Sequence, residues 1–299
     1  MMRWLLMAIV AGGILTPVGW GDAFLGADDI NALPSAPADA RVVYGPEPDQ
    51  FGELRLPRGG GLHPVAVVIH GGCWVESYAD FHNTAALADA LRREGMATWN
   101  IEYRRSDERG GGWPGTFLDV AHAIDALRAL AEKYPLDLTR VIAIGHSAGG
   151  QLALWAAGRH RLPAGSAVFL RHPLPISGVL ALGTPGDLAS FRRKETDVCG
   201  GPVVTDLLGG GPSMVPERYA QASPIEMLPL GVPQILLTAS ADFVESPVEG
   251  AAYVAAARKA GDSARQFVIP DAGHFEYLSP SSGAWPAVRQ AARELAGLP

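Results

Sequence analysis

The sequence predicts an α/β fold, in which helices cover both faces of a mostly parallel, doubly wound sheet. Short apolar runs alternate with helical stretches along the chain, and several of the runs are continuous in Val, Ile and Leu. Continuous apolar runs are typical of strands covered on both faces, and strand–helix alternation is typical of a doubly wound sheet. The chain has 299 residues, of which 48% are hydrophobic, and this suffices for one large domain.

Eight segments are predicted as strands. In chain order they are residues 41–44, 52–56, 65–69, 98–103, 141–144, 178–182, 234–238 and 266–269. The first two contain more polar residues than the later ones, so we expect them to form an antiparallel edge of the sheet.

Five segments between the strands are predicted as helices. They are residues 84–93, 118–131, 151–157, 247–260 and 285–296. In the second, apolar residues recur mostly at spacings of three, which gives the helix one apolar stripe. We expect this stretch to stop at Tyr134-Pro135, because proline disfavours a helical conformation in the residue before it.

Residues 184–228 do not follow the strand–helix alternation. They contain a Gly-Gly-Gly, a Gly-Gly and five prolines. A structureless loop of that length is uncommon in a compact domain. We therefore expect a cap-like insertion of short helices over the carboxyl edge of the sheet, where open α/β sheets bind ligands. A partly disordered excursion is the alternative.

The first 23 residues have the layout of a secretory signal peptide. A basic start at Met1 to Arg3 precedes a mostly apolar run from Trp4 to Leu15, and small residues follow at Gly21 to Ala23. The apolar run is too short and too rich in glycine for a membrane span. We expect an exported protein, periplasmic or secreted, with one domain over residues 24–299 and no stable membrane insertion. A cytoplasmic protein that keeps the segment as a buried helix is the alternative.

Charge and motif content exclude several classes of partner. The formal net charge is −7, whereas a nucleic-acid-binding protein usually carries an excess of positive charge. Two cysteines cannot form a disulfide scaffold or a four-cysteine zinc site. Neither a His-Glu-x-x-His motif nor a P-loop occurs. We therefore expect no nucleic-acid partner, no metal and no cofactor.

A Gly-x-Ser-x-Gly motif lies between the strand predicted at 141–144 and the helix predicted at 151–157. It reads Gly145-His146-Ser147-Ala148-Gly149. A serine at such a turn adopts a strained backbone conformation and exposes its hydroxyl at the helix N-terminus, where developing negative charge is favoured. Glycine is needed on either side because the chain closes too tightly for side chains. This pattern predicts Ser147 as a nucleophile.

A second glycine turn, His70-Gly71-Gly72-Cys73-Trp74, follows the predicted strand at 65–69. Acyl transfer needs preorganised donors for the tetrahedral oxyanion, each worth roughly 2.7–4 kcal/mol of activation free energy. A Gly-Gly turn lets backbone N–H groups point at that oxygen without steric cost. The N–H of Ala148, next to the serine, completes such a donor set.

Three side chains of this turn have predicted structural roles. We expect His70 to brace the turn by hydrogen bonding rather than to act as a base. Trp74 is expected to pack the turn rather than to bind substrate. Cys73 is expected to be a small, unpaired packing group. A disulfide between Cys73 and Cys199, which would tie the turn to the insertion of an exported protein, is the alternative.

The base and its orienting acid are expected downstream of Ser147. Among eight histidines, only His274 lies in a glycine-containing loop directly after a late predicted strand, so we expect it to take the serine proton. Asp242 follows the preceding strand and is expected to hold the imidazole in the required tautomer, with Glu245 as the next candidate. His146 flanks the serine but is expected to point away from it.

With these motifs in this order, the chain resembles serine esterases of the α/β-hydrolase fold, in the branch with a His-Gly-Gly-x-Trp loop. That branch includes hormone-sensitive-lipase-like esterases, feruloyl/acetyl esterases and kynurenine formamidases. The resemblance runs from about Asp39 to the C-terminus and includes Tyr44-Gly45-Pro46 and Glu102-Tyr103-Arg104. It implies a triad of Ser147, Asp242 and His274, and oxyanion donors at Gly72, Cys73 and Ala148.

One residue departs from the lipase-like pattern. Cys73 stands where the lipase-like His-Gly-Gly-Gly has its third glycine. A larger residue at this place is nearer the formamidase-like and feruloyl-esterase-like members.

The function expected from this sequence is hydrolysis of a small-molecule carboxylic ester through an acyl-serine intermediate. An arylformamidase that cleaves N-formylkynurenine-like amides is the first alternative, because the same machinery serves a nitrogen leaving group. A catalytically inactive hydrolase fold used as a binding module is the second.

Overall fold

The structure is a computed structural model that describes residues 24–299. The predicted signal peptide, residues 1–23, lies outside the described residues. Eight strands are found, each at a predicted position: β1 (Ala40–Val43), β2 (Phe51–Arg55), β3 (His63–Ile69), β4 (Ala97–Ile101), β5 (Leu136–His146), β6 (Gly178–Leu182), β7 (Gln234–Ala239) and β8 (Ala264–Ile269). They form one sheet in the order β1-β2-β4-β3-β5-β6-β7-β8.

The sheet has an antiparallel edge and a parallel body, as the sequence predicts. β2 pairs antiparallel with both β1 and β4, and the remaining neighbours pair parallel. In this register Ile69 at the end of β3 lies beside Gly145, and His146 at the end of β5 lies beside Leu182. The two glycine turns that follow β3 and β5 therefore start next to each other at the carboxyl edge of the sheet.

Eleven α-helices are present in residues 24–299. They are α1 (Ala27–Asn31), α2 (Ala85–Arg93), α3 (Gly115–Asp125), α4 (Leu127–Ala131), α5 (Ala148–Gly158), α6 (Leu188–Phe191), α7 (Glu195–Cys199), α8 (Val203–Leu208), α9 (Pro216–Ala222), α10 (Pro247–Lys259) and α11 (Trp285–Leu295). No helix in this part of the chain combines the length and the apolar character needed to cross a bilayer.

Four of the five predicted helices are confirmed as single elements, and the fifth is divided. The helix predicted at 118–131 consists of α3 and α4, which meet at Ala126. The helix predicted at 247–260 begins with a capping box, in which Ser246 and Glu249 satisfy each other's backbone N–H groups, and with Pro247 in the first turn. Residues 184–228 contain four short helices, α6 to α9.

Both faces of the sheet are covered, which explains the continuous apolar strands. Along β3, Val65, Val67 and Ile69 point into one apolar cluster, and Ala66 and Val68 point into another. The first cluster also contains residues of α3, α5 and the insertion, and the second contains residues of α2 and α11. This two-sided burial holds the carboxyl ends of β3 and β5 in place.

Candidate active site

Ser147 lies in the turn between β5 and α5, which we call the elbow (residues 145–149). Its backbone angles are φ 54° and ψ −123°, a region that non-glycine residues rarely adopt. The Ser147 amide donates to the carbonyl oxygen of Leu182 at 2.8 Å, which anchors the turn to the end of β6. The elbow therefore presents the serine at the N-terminus of α5, as the motif predicts.

The two flanking glycines of the elbow have no room for a side chain. A Cβ at Gly145 would overlap the carbonyl of Gly149. A Cβ at Gly149 would overlap the carbonyl oxygens of Ile69 and His70. The backbone of the turn thus packs directly against the end of β3, and glycine is a steric requirement at both positions.

The loop after β3, residues 70–80, is called the β3 loop. Three successive residues have left-handed backbones: Gly72 (φ 94°), Cys73 (φ 51°) and Trp74 (φ 57°). Each of the two non-glycine residues costs about 1–3 kcal/mol in this conformation. The Val75 amide closes the turn by donating to the Gly72 carbonyl oxygen at 2.8 Å. Such a strained turn requires support from its surroundings.

Three amides near Ser147 are left without backbone acceptors. Within residues 24–299, the N–H groups of Gly72, Cys73 and Ala148 donate to no carbonyl oxygen. Ala148 is the first residue of α5, where helix N–H groups lack intrahelical partners. The β3 loop lies close to the serine, since a Cβ built on Gly71 would be 3.0 Å from Ser147 Cβ. In the described part of the chain the three predicted oxyanion donors therefore have no backbone acceptor, and Gly72 and Cys73 lie in the loop beside the serine that precedes Ala148.

His70 supports the β3 loop from below. Its Nε2 lies 2.8 Å from Glu102 Oε1, its Nδ1 lies 3.0 Å from the Gly71 carbonyl oxygen, and its ring stacks on Tyr103. Burial acts to raise the pKa of Glu102, but the charge and hydrogen bond of His70 and the charge of Arg105 outweigh it, so the pKa is lowered. The interpretation of His70 as a brace is confirmed.

Trp74 packs the loop, as expected. Its side chain is fully buried, its Nε1 donates to Gln151 Oε1 at 3.2 Å, and its ring meets Phe191 edge to face. Because Gln151 belongs to α5, this hydrogen bond also joins the β3 loop to the helix behind the elbow.

Cys73 is bonded to Cys199, so the expectation of unpaired cysteines is wrong. The two Cα atoms are 6.1 Å apart although the residues are 126 positions apart in the chain. The insertion brings the end of α7 over the β3 loop, and spacing in the sequence contains no information about that approach. Disulfides persist in oxidising compartments, so the bond indicates a protein that functions outside the cytosol.

His274 and Asp242 are hydrogen-bonded to each other. His274 Nδ1 lies 2.9 Å from Asp242 Oδ1, which also accepts from the amides of Val244 (2.8 Å) and Glu245 (3.1 Å). Asp242 Oδ2 accepts from the Tyr277 hydroxyl at 3.0 Å. Burial acts to raise the pKa of Asp242, but the hydrogen bond and charge of His274 and the two amides outweigh it, so the pKa is lowered.

An ionised Asp242 only accepts hydrogen bonds, so His274 carries its proton on Nδ1. Its Nε2 is then free to accept a proton. Within residues 24–299, the side chain of His274 is bonded to Asp242 and not to the Ser147 hydroxyl. Such catalytic hydrogen bonds are often long before substrate binds.

The alternative acid, Glu245, does not contact His274. Its side chain lines a small separate cavity of about 80 Å³ beside Asp187 and Phe191. Burial, followed by the charge of Glu249, raises the pKa of Glu245 to about 9, so this carboxyl group is neutral at pH 7. Between the two candidates, the structure pairs Asp242 with the histidine.

His146 faces the His274 loop. Its Nε2 donates to the His274 carbonyl oxygen at 2.8 Å, and the two rings lie 4.5 Å apart. Burial and the charge of His274 lower the pKa of His146 to about 3, so the ring is neutral. His146 therefore helps to position the backbone of the loop that carries His274.

A cavity of about 530 Å³ is lined by four of the six predicted site residues, whereas Asp242 and Ala148 are not part of its lining. Ser147 and His274 line it, and so do Gly72 and Cys73 of the β3 loop. Residues of α1, the end of α7, and the aromatic side chains of Phe243 and Phe275 complete its walls. In residues 24–299, no group of three or more His, Cys, Asp or Glu side chains is placed to hold a metal ion.

Residues 54–244 match the family model BD-FAE. The chain belongs to the BD-FAE family. This is a family of α/β-hydrolase-like esterases, and membership places the protein among the carboxylic ester hydrolases. The matched BD-FAE region contains the β3 loop, the elbow and Asp242. A search of curated proteins finds no match.

Solved structures similar to this BD-FAE protein share its α/β-hydrolase fold. A truncated carbohydrate esterase from gut microbiota has a TM-score of 0.70 and 20% identity over 87% of this chain and 99% of that chain. The acetyl ester-xyloside bifunctional hydrolase of Caldicellulosiruptor lactoaceticus has a TM-score of 0.69 and 19% identity, covering 87% of this chain and 97% of that chain. Thermogutta terrifontis esterase 2, phosphorylated by paraoxon, has a TM-score of 0.67 and 19% identity, covering 88% of this chain and 93% of that chain.

Three supports of this BD-FAE site lack a role in the sequence prediction. Glu102 is part of the Glu102-Tyr103-Arg104 motif, but the sequence prediction gives it no partner. A carboxylate directly after an apolar strand is a signal that could have indicated a buried partner, which is His70. Tyr277 lies three residues after His274 with nothing in the sequence to connect it to Asp242. Cys199 is paired with Cys73 only in the alternative prediction, because the segment around it has no regular pattern.

Proposed function

We propose that the protein hydrolyses carboxylic esters through an acyl-enzyme intermediate on Ser147. One observation carries the proposal: Ser147 and His274 line one cavity, and Asp242 holds the far nitrogen of the histidine. The strained serine backbone and the unpaired amides beside it support the same chemistry.

In this mechanism Ser147 Oγ attacks the ester carbonyl carbon while His274 Nε2 takes the serine proton. The tetrahedral oxyanion accepts hydrogen bonds from the amides of Gly72, Cys73 and Ala148. His274 then gives the proton to the departing alkoxide, which leaves as an alcohol. Water, deprotonated by His274, attacks the acyl-serine; the C–Oγ bond then breaks, His274 returns the proton to Ser147 Oγ, and the acid is released. Asp242 stabilises the imidazolium that forms in both halves of the cycle.

We propose a short-chain acyl ester as the substrate class. A cavity of about 530 Å³ shared with the reacting groups leaves room for a small acyl group and a larger alcohol. Among the similar folds, one is an acetyl ester-xyloside hydrolase, and Thermogutta terrifontis esterase 2 was solved with propionate bound.

The decisive experiment is Ser147→Ala assayed with p-nitrophenyl acetate. We expect kcat to fall by about 10⁵-fold or more, because the nucleophile is lost while binding groups remain. Ser77→Ala is the matched control, since Ser77 lines the same cavity but is assigned no chemistry; it should keep kcat. Full activity of Ser147→Ala would refute the mechanism.

A fluorophosphonate probe tests the same serine independently. The wild-type protein should be labelled on the peptide that contains Ser147, and Ser147→Ala should not be labelled. A wild-type protein that resists labelling would instead indicate a binding module without activity.

Ester and amide cleavage are separated by a substrate pair. We expect p-nitrophenyl acetate to be turned over and N-formylkynurenine to be a poor substrate. A higher kcat/KM for N-formylkynurenine would identify a formamidase.

We also propose that residues 1–23 form a signal peptide and that the protein is exported. The disulfide supports this location because it requires an oxidising environment. Mass spectrometry of the native protein should show a chain lacking these residues, and a retained leader would contradict the proposal.

A further inference from the structure

Two contacts join the β3 loop to a single residue of the insertion, Cys199. The Cys73 side chain is bonded to Cys199 Sγ, and the Tyr78 hydroxyl donates to the Cys199 carbonyl oxygen at 2.9 Å. We call these two contacts together the Cys199 junction. They reach the same residue from two points of the β3 loop, so the junction restrains both the position and the rotation of that loop.

Cys73 needs an external restraint more than its neighbours do. Its backbone is left-handed at φ 51°, and such conformations persist only where surrounding structure holds them. Trp74 has the same kind of backbone but is fully buried and hydrogen-bonded to Gln151. The Cys73 side chain is only partly buried, and its bonded partner is Cys199.

Cys199 is itself firmly placed. It ends α7, where Gly200 adopts a left-handed backbone at φ 75°. Its side chain is 4% exposed and belongs to the same apolar cluster as Val203 and Leu207 of α8. Cys199 and its neighbours Val198 and Gly200 also line the catalytic cavity. The junction therefore joins a packed wall of the cavity to an amide that faces the reacting carbonyl in the proposed mechanism.

We propose that Cys199 and Tyr78 are positioning residues that fix the Cys73 amide as an oxyanion donor. The inference rests on the proposed function. Breaking the junction lets the strained turn relax and moves this N–H away from the developing negative charge. Because the interaction is strongest in the transition state, its loss lowers kcat and leaves KM nearly unchanged.

The first test is Cys199→Ser with p-nitrophenyl acetate, assayed well below the unfolding temperature and with a native circular dichroism spectrum. We expect kcat to fall about 10- to 100-fold, up to the loss typical of one missing donor, with KM within about twofold. Affinity for a trifluoromethyl ketone, which mimics the tetrahedral oxyanion, should fall by a similar factor. Affinity for acetate, a planar product, should not change.

Tyr78→Phe removes one hydroxyl and leaves the disulfide intact. We expect kcat to fall about 2- to 10-fold, the effect of one hydrogen bond. Arg218→Met is the matched control: it removes a 2.7 Å hydrogen bond to the Leu208 carbonyl inside the insertion without touching the β3 loop. This variant should keep kcat.

Reduction of the folded wild-type protein tests the junction without a mutation. One dithiothreitol molecule transfers two electrons and two protons to the disulfide, giving two cysteine thiols and cyclic oxidised dithiothreitol. We expect kcat to fall to the Cys199→Ser level and to return when oxidised glutathione re-forms the bond and is itself reduced to two glutathione molecules. Cys199→Ser should not respond, because the chain has only two cysteines.

The outcomes separate the two proposals. If Cys199→Ser and the reduced protein keep kcat within twofold, the disulfide only stabilises and the positioning role is refuted. If kcat falls but ketone affinity is unchanged, the junction shapes something other than the oxyanion site, and the role is equally refuted. Activity in Ser147→Ala would instead overturn the proposed function.

Discussion

The elbow and the β3 loop lie side by side, yet their shapes have different origins. The elbow is determined by backbone proximity: Gly145 faces a carbonyl group of the elbow itself, Gly149 faces carbonyl groups at the end of β3, and neither leaves space for a side chain. The β3 loop is held by side chains from distant parts of the chain, chiefly Glu102 and Cys199. The comparison shows that one half of this site is encoded in a local motif and the other half in long-range contacts.

The largest effect should come from breaking the elbow with Gly149→Ala. The new Cβ would overlap two carbonyl oxygens of the β3 end, which are backbone atoms and cannot move aside cheaply. We expect a loss of about 4 kcal/mol of unfolding free energy, measured by urea denaturation. Gly165→Ala is the control, because no atom lies within 4 Å of its Cβ position. Equal stability of the two variants would show that the elbow is not sterically determined.

The next largest effect should come from removing the long-range tie of the β3 loop. The disulfide closes a chain segment of 126 positions, so its loss should cost about 2–4 kcal/mol of unfolding free energy. We expect urea denaturation to give this difference between Cys73→Ala/Cys199→Ala and the oxidised wild-type protein. Dithiothreitol should destabilise the wild type and leave the double variant unchanged. If dithiothreitol left the urea midpoint of unfolding of the wild-type protein unchanged, the prediction would be contradicted.

Acid should separate the two regions, because each contains a buried ionisable group. Burial and the charge of His274 lower the pKa of His146 in the elbow to about 3, against about 6.5 in the unfolded chain. Its contribution to stability is complete above pH 6.5 and is lost as pH falls toward 3, since only the unfolded state gains the proton. Glu102, which hydrogen-bonds His70 beneath the β3 loop, has its pKa lowered from 4.5. Its contribution to the free energy of unfolding is therefore lost only at a lower pH than that of His146.

The elbow is therefore tested by comparing variants between pH 7.5 and pH 5, because Glu245, whose pKa is raised to about 9, stabilises the folded state as pH falls and opposes the effect of His146. We expect His146 alone to lower the unfolding free energy by about 2 kcal/mol between these two pH values. The stability of His146→Gln relative to the wild type should rise by this amount from pH 7.5 to pH 5, whereas that of His160→Gln, at an exposed site, should not change. A pH dependence of His146→Gln equal to that of the wild type would refute this contribution of His146.

The smallest effect on stability should come from removing one hydrogen bond beneath the β3 loop. The Tyr103 hydroxyl donates to the His70 carbonyl oxygen at 2.8 Å in a fully buried position. Tyr103→Phe should cost about 1 kcal/mol of unfolding free energy, the usual value for one hydrogen bond. Tyr134→Phe, at a half-buried position, should be neutral in the same urea titration. A neutral Tyr103→Phe would mean that stacking on His70 suffices.

The same contrast explains what the sequence could predict. Strands β3, β6 and β7 were predictable because burial on both faces of the sheet gives continuous apolar runs. The turn that carries Ser147 was predictable because its glycines lie next to the serine in the chain. His274 and Asp242 were placed by their positions after late strands. The disulfide was not predictable, because it depends on the path of the whole insertion. Tyr277 was missed because its partner lies 35 residues away.

The short helix α1 has a practical consequence. Ala27, Asp28 and Asn31 line the cavity that contains Ser147 and His274, and the Leu25 amide donates to Glu276 at 2.7 Å, close to the His274 loop. A mature chain that begins near residue 24, as the proposed signal peptide implies, has its amino terminus beside this cavity. A purification tag there would lie close to the cavity and could hinder access to it. At the other end, Gly297 lies near Arg140 in the first half of β5, so a carboxyl-terminal tag is placed away from the cavity.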